Sequence, residues 1–168
     1  MQRDLATVVR WARQNAAKYG ADPDKIIIWG HSAGASHVAS YLAHPEAHQD
    51  LADGQKAVRA AVLSSGIYEM GGKPDQVYFG PAAGLAEQSS TVGLVASRAA
   101  LMVAGAEFDP PNMVAQADGL EHALTAAKYP HERLILAQHG HMSEVYTVNA
   151  GDPSVYAPVL AFIRRQTH

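Results

Sequence analysis

The sequence predicts an α/β fold: a mostly parallel sheet of about four strands flanked by helices. Three observations predict it. Short runs such as "IIIW" and "LMVA" are apolar throughout instead of alternating, as strands buried on both faces must be. Helical patterns separate these runs, supplying the crossovers that parallel neighbours require. The first run passes through Gly30-His31-Ser32-Ala33-Gly34 directly into a helical stretch.

In chain order, residues 2–19 have helical periodicity, with Leu5, Val8, Val9, Ala12 and Ala16 on one face and Gly20 as the stop. "ADPDK" is a turn that feeds a strand over residues 26–29, followed by a helix over 33–43 that Pro45 ends. Residues 46–56 are polar and loop-like. "AVRAAVLSSG" holds a second strand around Val58 and Ala61, Val62 and Leu63. Residues 68–98 are punctuated by Gly and Pro, with a short helix expected near 84–96. "AALMVAGAEFD" is a third strand ending in acidic residues, 111–128 is helical, "RLILAQ" is a fourth strand, and "HGHMSE" is a loop. Asp152 caps a last helix that opens on Pro153 and runs to about Arg165. No repeat or linker divides the chain, so residues 1–168 are expected to form a single domain with a sizeable core.

Composition narrows the function classes. A net charge of -3 offers no electrostatic footprint for nucleic acid or an anionic membrane. No run approaches the ~20 apolar residues of a membrane span, and "MQRD" does not open a signal peptide, so a cytoplasmic location is expected. With no cysteine, disulfides, thiolate metal sites and cysteine nucleophiles are excluded. His44 and His48 have metal-ligand spacing, but Pro45 interrupts the helix between them and no His-Glu-x-x-His accompanies them. No metal site is expected.

Gly30 to Gly34 match G-x-S-x-G at a strand-to-helix junction. Such a turn strains the backbone of its central residue, and side chains at the flanking glycines are expected to collide with neighbouring elements. It lifts Ser32 Oγ above the carboxyl ends of the strands, where the following helix aims free N–H groups at developing negative charge. The Ala33 N–H is the expected oxyanion donor. A serine needs a base, and the base an acid to orient it. Asp109 follows the third strand, with Glu107 as competitor; Asp109 is preferred because it lies beyond the strand end, beside Pro110 and Pro111. His139 and His141 follow the fourth strand, and His141 is preferred for its distance from it. The chain order Ser, Asp, His is the one this architecture uses. His31 is expected to pack against or line the site, and His37 to be a buried helix residue. Tyr68, Tyr78, Phe79 and Met142 are candidates to line a substrate pocket.

On these residues the chain resembles α/β-hydrolase carboxylesterases of the hormone-sensitive-lipase and feruloyl-esterase-like kind. The segment from "DLATVVRWARQ" to "GHSAGASHVASYL" looks like their central part, and "SSGIYEM", "VYFG", "LMVAGAEFDPP" and "HGHMSEV" follow in the expected order. The resemblance implies a serine esterase with Ser32, Asp109 and His141 as the triad, an acyl-enzyme, and no metal or organic cofactor. It departs from the pattern upstream: no H-G-G-G-like loop, which supplies the second oxyanion donor, precedes Ser32. The chain thus looks like the C-terminal half of the fold, N-terminally abbreviated. Two expectations follow. The strand of Ile26, Ile27, Ile28 and Trp29 becomes a bare apolar edge, to be covered by the first helix, a homodimer or another chain. Missing one oxyanion donor lowers turnover by about 10² to 10³. A short cap implies small esters. The alternatives are a non-catalytic or partner-dependent half of a hydrolase, and an amidase or arylformamidase on the same triad.

Overall fold

Strands that are apolar on both sides need helices on both faces, and the chain meets that need with alternating side-chain direction. A computed structural model describes residues 2–51, 57–71 and 89–168. Strands β1 (Ile26–His31), β2 (Val58–Ser64), β3 (Ala100–Phe108) and β4 (His131–Gly140) form an all-parallel sheet in the order β1-β2-β3-β4. Helices α1 (Gln2–Asn15), α2 (Ala33–Ala43), α3 (Thr91–Ala96), α4 (Pro111–Ala126), α5 (Ser143–Tyr146) and α6 (Pro153–Thr167) surround it.

On one face, Ala61, Leu63, Leu101 and Val103 pack with α1, α2, α3 and α4 through residues such as Val9, Tyr41, Leu94 and Leu120. Their neighbours in sequence, Ala60, Val62, Met102 and Ala104, point the other way, onto Val159 and Phe162 of α6. The cap of α6 forms as read: Asp152 Oδ1 accepts the Ser154 N–H at 2.9 Å, with Pro153 opening the helix.

Several expectations need correction. The helix read over 2–19 is α-helical only to Asn15; Ala16–Tyr19 is a tighter 3-10 turn closed by Gly20 at φ 75°. Its buried stripe is Ala6 and Val9, with Leu5 half-buried, whereas Val8 is 61% exposed, because one residue of offset rotates a side chain well off the packed face. The fourth strand extends to Gly140 and so absorbs His139. It is also an edge of the sheet, which leaves Ile135 62% exposed. The polar stretch 46–56 is partly a 3-10 segment within Pro45–Leu51, and its remainder lies outside the described residues. Of the expected helix near 84–96, the described part is α3, while Tyr78 and Phe79 lie outside the described residues. As expected for the first strand, β1 is a sheet edge, paired with β2 alone among the described residues, and Trp29 on it is 38% exposed.

Candidate active site

Parallel strands in register bring their carboxyl ends to one edge, so the residue after each strand is a natural site position. His31 pairs with Ser64, Ser64 with Ala104, and Phe108 with Gly140. The residues just beyond, Ser32, Ser65, Asp109 and His141, therefore share that edge. Ser32 occupies a strained backbone conformation, φ 56° and ψ −124°. Its N–H donates to Ser64 O at 2.8 Å, and its own carbonyl accepts from Ala35 N at 3.0 Å and Ser36 N at 3.2 Å. These bonds lock the turn between β1 and α2. The two glycines are not equivalent. A Cβ on Gly30 would stand 2.4 Å from Gly34 O, so glycine is obligatory there. A Cβ on Gly34 meets nothing within 4 Å among the described residues, against expectation: it is the Gly34 backbone, not a missing side chain, that makes the turn tight.

Ser32 Oγ lies 2.9 Å from His141 Nε2, and His141 Nδ1 lies 3.0 Å from Asp109 Oδ1. The other carboxylate oxygen of Asp109 accepts from Ser65 Oγ at 2.5 Å and from Ala106 N–H at 2.8 Å. A buried carboxylate so held presents one fixed oxygen to the imidazole, which then keeps its proton on Nδ1 and its lone pair on Nε2, toward the serine. Ala33 is the first residue of α2, so its N–H belongs to the helix-end donors with no intrahelical acceptor. Glu107 is committed elsewhere, accepting Gln138 N–H at 2.7 Å. His139 is buried, with Nδ1 3.2 Å from Ser143 Oγ and Nε2 2.7 Å from Ser154 Oγ, so it joins β4 to α5 and α6. His48 is wholly buried, stacked on Tyr41 and bonded to Tyr41 O, while His44 contacts Ser89 O and Glu46, so they do not act as a pair.

The model of the carboxylesterase family matches residues 2–101. The chain belongs to that family. It is 34% identical over 64 residues to an acylcarnitine hydrolase of Mus musculus, a stretch covering 38% of this chain and 10% of the mouse protein. It is 38% identical over 71 residues to the esterase LipQ of Mycobacterium tuberculosis, covering 40% of this chain and 17% of LipQ. The match thus spans under a fifth of either relative. A truncated carbohydrate esterase from gut microbiota has the same fold, with a TM-score of 0.76 at 18% identity, over 98% of this chain and 67% of the other.

Around this carboxylesterase-family edge lie residues that the sequence reading assigned differently or missed. Tyr68 lines none of the cavities found among the described residues. It is wholly buried, its hydroxyl accepting Gly66 N–H at 3.3 Å and donating to Leu63 O at 3.4 Å, and burial pushes its phenol up. Met142 is 49% exposed, next to His141 on the rim. His31 packs on the His141 ring at 4.6 Å between centroids and donates from Nε2 to His141 O at 2.8 Å, so it braces the loop that carries His141. Burial holds its imidazole below the usual range, against the opposing pull of the bond to the His141 carbonyl. Glu144 was missed. It is 2% exposed, with Oε1 2.9 Å from His31 Nε2, and burial, with Asp109 adding, raises its carboxyl to about 7 against the opposing pull of Ser65 and His141. The Ser65 hydroxyl is bonded to Asp109, and neither Glu144 oxygen makes a well-formed hydrogen bond among the described residues. A signal existed: Glu144 lies three residues after His141, on the one-turn helix α5, and Ser65 closes an apolar strand.

A cavity of about 340 Å³ adjoins this group, lined by Trp29, His31, Ser64, Glu144, Val145 and Val148. A larger one, about 770 Å³, is lined by Val58 and Ala99 at the opposite ends of the strands, and no site residue borders it.

Proposed function

We propose that this chain is a serine carboxylesterase acting on short-chain or small aryl esters. Ser32 Oγ attacks the ester carbonyl while His141 Nε2 takes its proton. Asp109 holds the imidazole, and the Ala33 N–H with the α2 dipole steadies the oxyanion. The alcohol leaves with the proton from His141, and water then resolves the acyl-enzyme by the same relay. The observation that carries this reading is the pair of contacts from His141, 2.9 Å to Ser32 Oγ and 3.0 Å to Asp109 Oδ1. Family membership supports the ester bond as the target. The cavity walled by Trp29, Val145 and Val148 suits a small acyl or aryl group. A fluorophosphonate probe tests the nucleophile: it should label the chain at Ser32, and labelling that survives Ser32→Ala would refute the assignment.

A second reading has its own observation. Ala33 is the single oxyanion donor argued among the described residues, and β1 has one neighbour there, which favours reading this chain as a partner-dependent half of a hydrolase whose site is completed across the β1 edge. If the purified chain hydrolyses p-nitrophenyl acetate no faster than its Ser32→Ala variant, the partner-dependent reading takes precedence.

A further inference from the structure

We propose that His31, His141 and Glu144 form a divalent-cation site of the zinc type, whose occupation is incompatible with an intact Ser32–His141–Asp109 relay. One ligand atom from each lies within 4.8 Å of the other two. His31 Nε2 and Glu144 Oε1 are already 2.9 Å apart, and the two imidazole rings are 4.6 Å apart and tilted by 38°. Two imidazoles and one carboxylate are a donor set that suits zinc with a coordination position left open. The independent observation is Glu144 itself. Its carboxyl is 2% exposed, neither oxygen makes a hydrogen bond among the described residues, and its near contact is His31 Nε2, whose N–H is already given to His141 O. A buried carboxyl without donors is costly unless something compensates it, and a cation supplies that compensation. An entry path exists, because His31 and Glu144 both line the 340 Å³ cavity.

The ion replaces the proton on His31 Nε2, which moves to Nδ1 by tautomer exchange, so the His31–His141 O bond is given up. Coordination through His141 Nε2 takes the lone pair that faces Ser32; coordination through Nδ1 displaces Asp109. Either silences the base. The inhibition rests on the reading of His141 as that base, whereas the binding does not.

Co²⁺ titrated into the metal-free chain reads the site by its visible absorbance, with Zn²⁺ displacing it, and calorimetry gives the affinity. One ion per chain is expected. Glu144→Gln and His31→Gln should each weaken it by more than the roughly 10- to 100-fold typical of losing an outer-shell partner. Ser32→Ala keeps all three ligands and should bind at least as tightly. With p-nitrophenyl acetate, Zn²⁺ should inhibit and chelator reverse it, each variant referred to its own metal-free rate. Mg²⁺ should do neither. Failure of Co²⁺ and Zn²⁺ to bind wild type and Ser32→Ala at millimolar concentration overturns the proposal, as does unchanged affinity in both ligand variants. Normal binding with no hydrolysis would instead count against the esterase reading alone.

Discussion

Ser32 stands at φ 56°, and three backbone hydrogen bonds hold it there. Its chemistry depends on neighbours placed by other strands. Replacing Asp109 by Asn keeps the shape but lets the imidazole adopt the wrong tautomer, and kcat for a small ester should fall by on the order of 10⁴. Steady-state kinetics on the variant check this. Ser65 acts one step further back, through its 2.5 Å bond to Asp109. Ser65→Ala leaves a buried carboxylate oxygen one donor short, so unfolding free energy should drop by ~1.5–3 kcal/mol in chemical denaturation. Glu144 gives a pH signature. Burial raises its folded-state carboxyl to about 7, above the ordinary value of 4.5, so the folded chain holds that proton more tightly than the unfolded chain. The stabilisation is complete below 4.5 and is lost as pH rises to 7. Urea midpoints measured across that window should fall with pH by a component that Glu144→Gln removes; an identical slope in both proteins would refute the assignment.

At the scale of elements, the junction of β1 and α2 discriminates between its two glycines. Gly30→Ala forces a Cβ against Gly34 backbone, which cannot yield as a flexible side chain does, and should cost ~1–3 kcal/mol or more. Gly34→Ala meets open space within a helix and should be neutral or stabilising by up to ~1 kcal/mol. Thermal melts of the two variants test the contrast, and equal losses would show that the turn is tight at both positions. Helix α1 teaches a related point. Its periodicity is plain, yet which residues of the stripe are covered depends on where α2 lies, and that leaves Val8 outside and Ala6 inside.

For the whole molecule, the sheet's two edges decide its behaviour. Among the described residues, β4 is an edge on which Ile135 is exposed; β1 is an edge whose residues Ile26 and Ile28 pack into one core and Ile27 into the other. An apolar strand that pairs on one side alone among the described residues invites pairing on the other. We expect a homodimer across β1, seen by size-exclusion with light scattering as twice the 17.9 kDa chain mass; a monomer over the full concentration range would refute it. Much of this molecule was legible beforehand. Apolar runs, helical periods and G-x-S-x-G specified the parallel sheet, and chain order singled out Ser32, Asp109 and His141, because strand-end positions of a parallel sheet converge whatever the loops do. Tyr68 was misassigned because an aromatic after a strand looks the same in sequence whether it turns into the core or out to a pocket.

The local pattern by itself determined the class of fold, the serine turn and the three residues that meet there. Only the tertiary structure decided that His31 braces His141, that Ser65 holds Asp109, and that Glu144 is buried against His31. Periodicity records which face of its own element a residue occupies. Burial, donor supply and charge come from residues far away in the chain, and those are set only when the strands come into register.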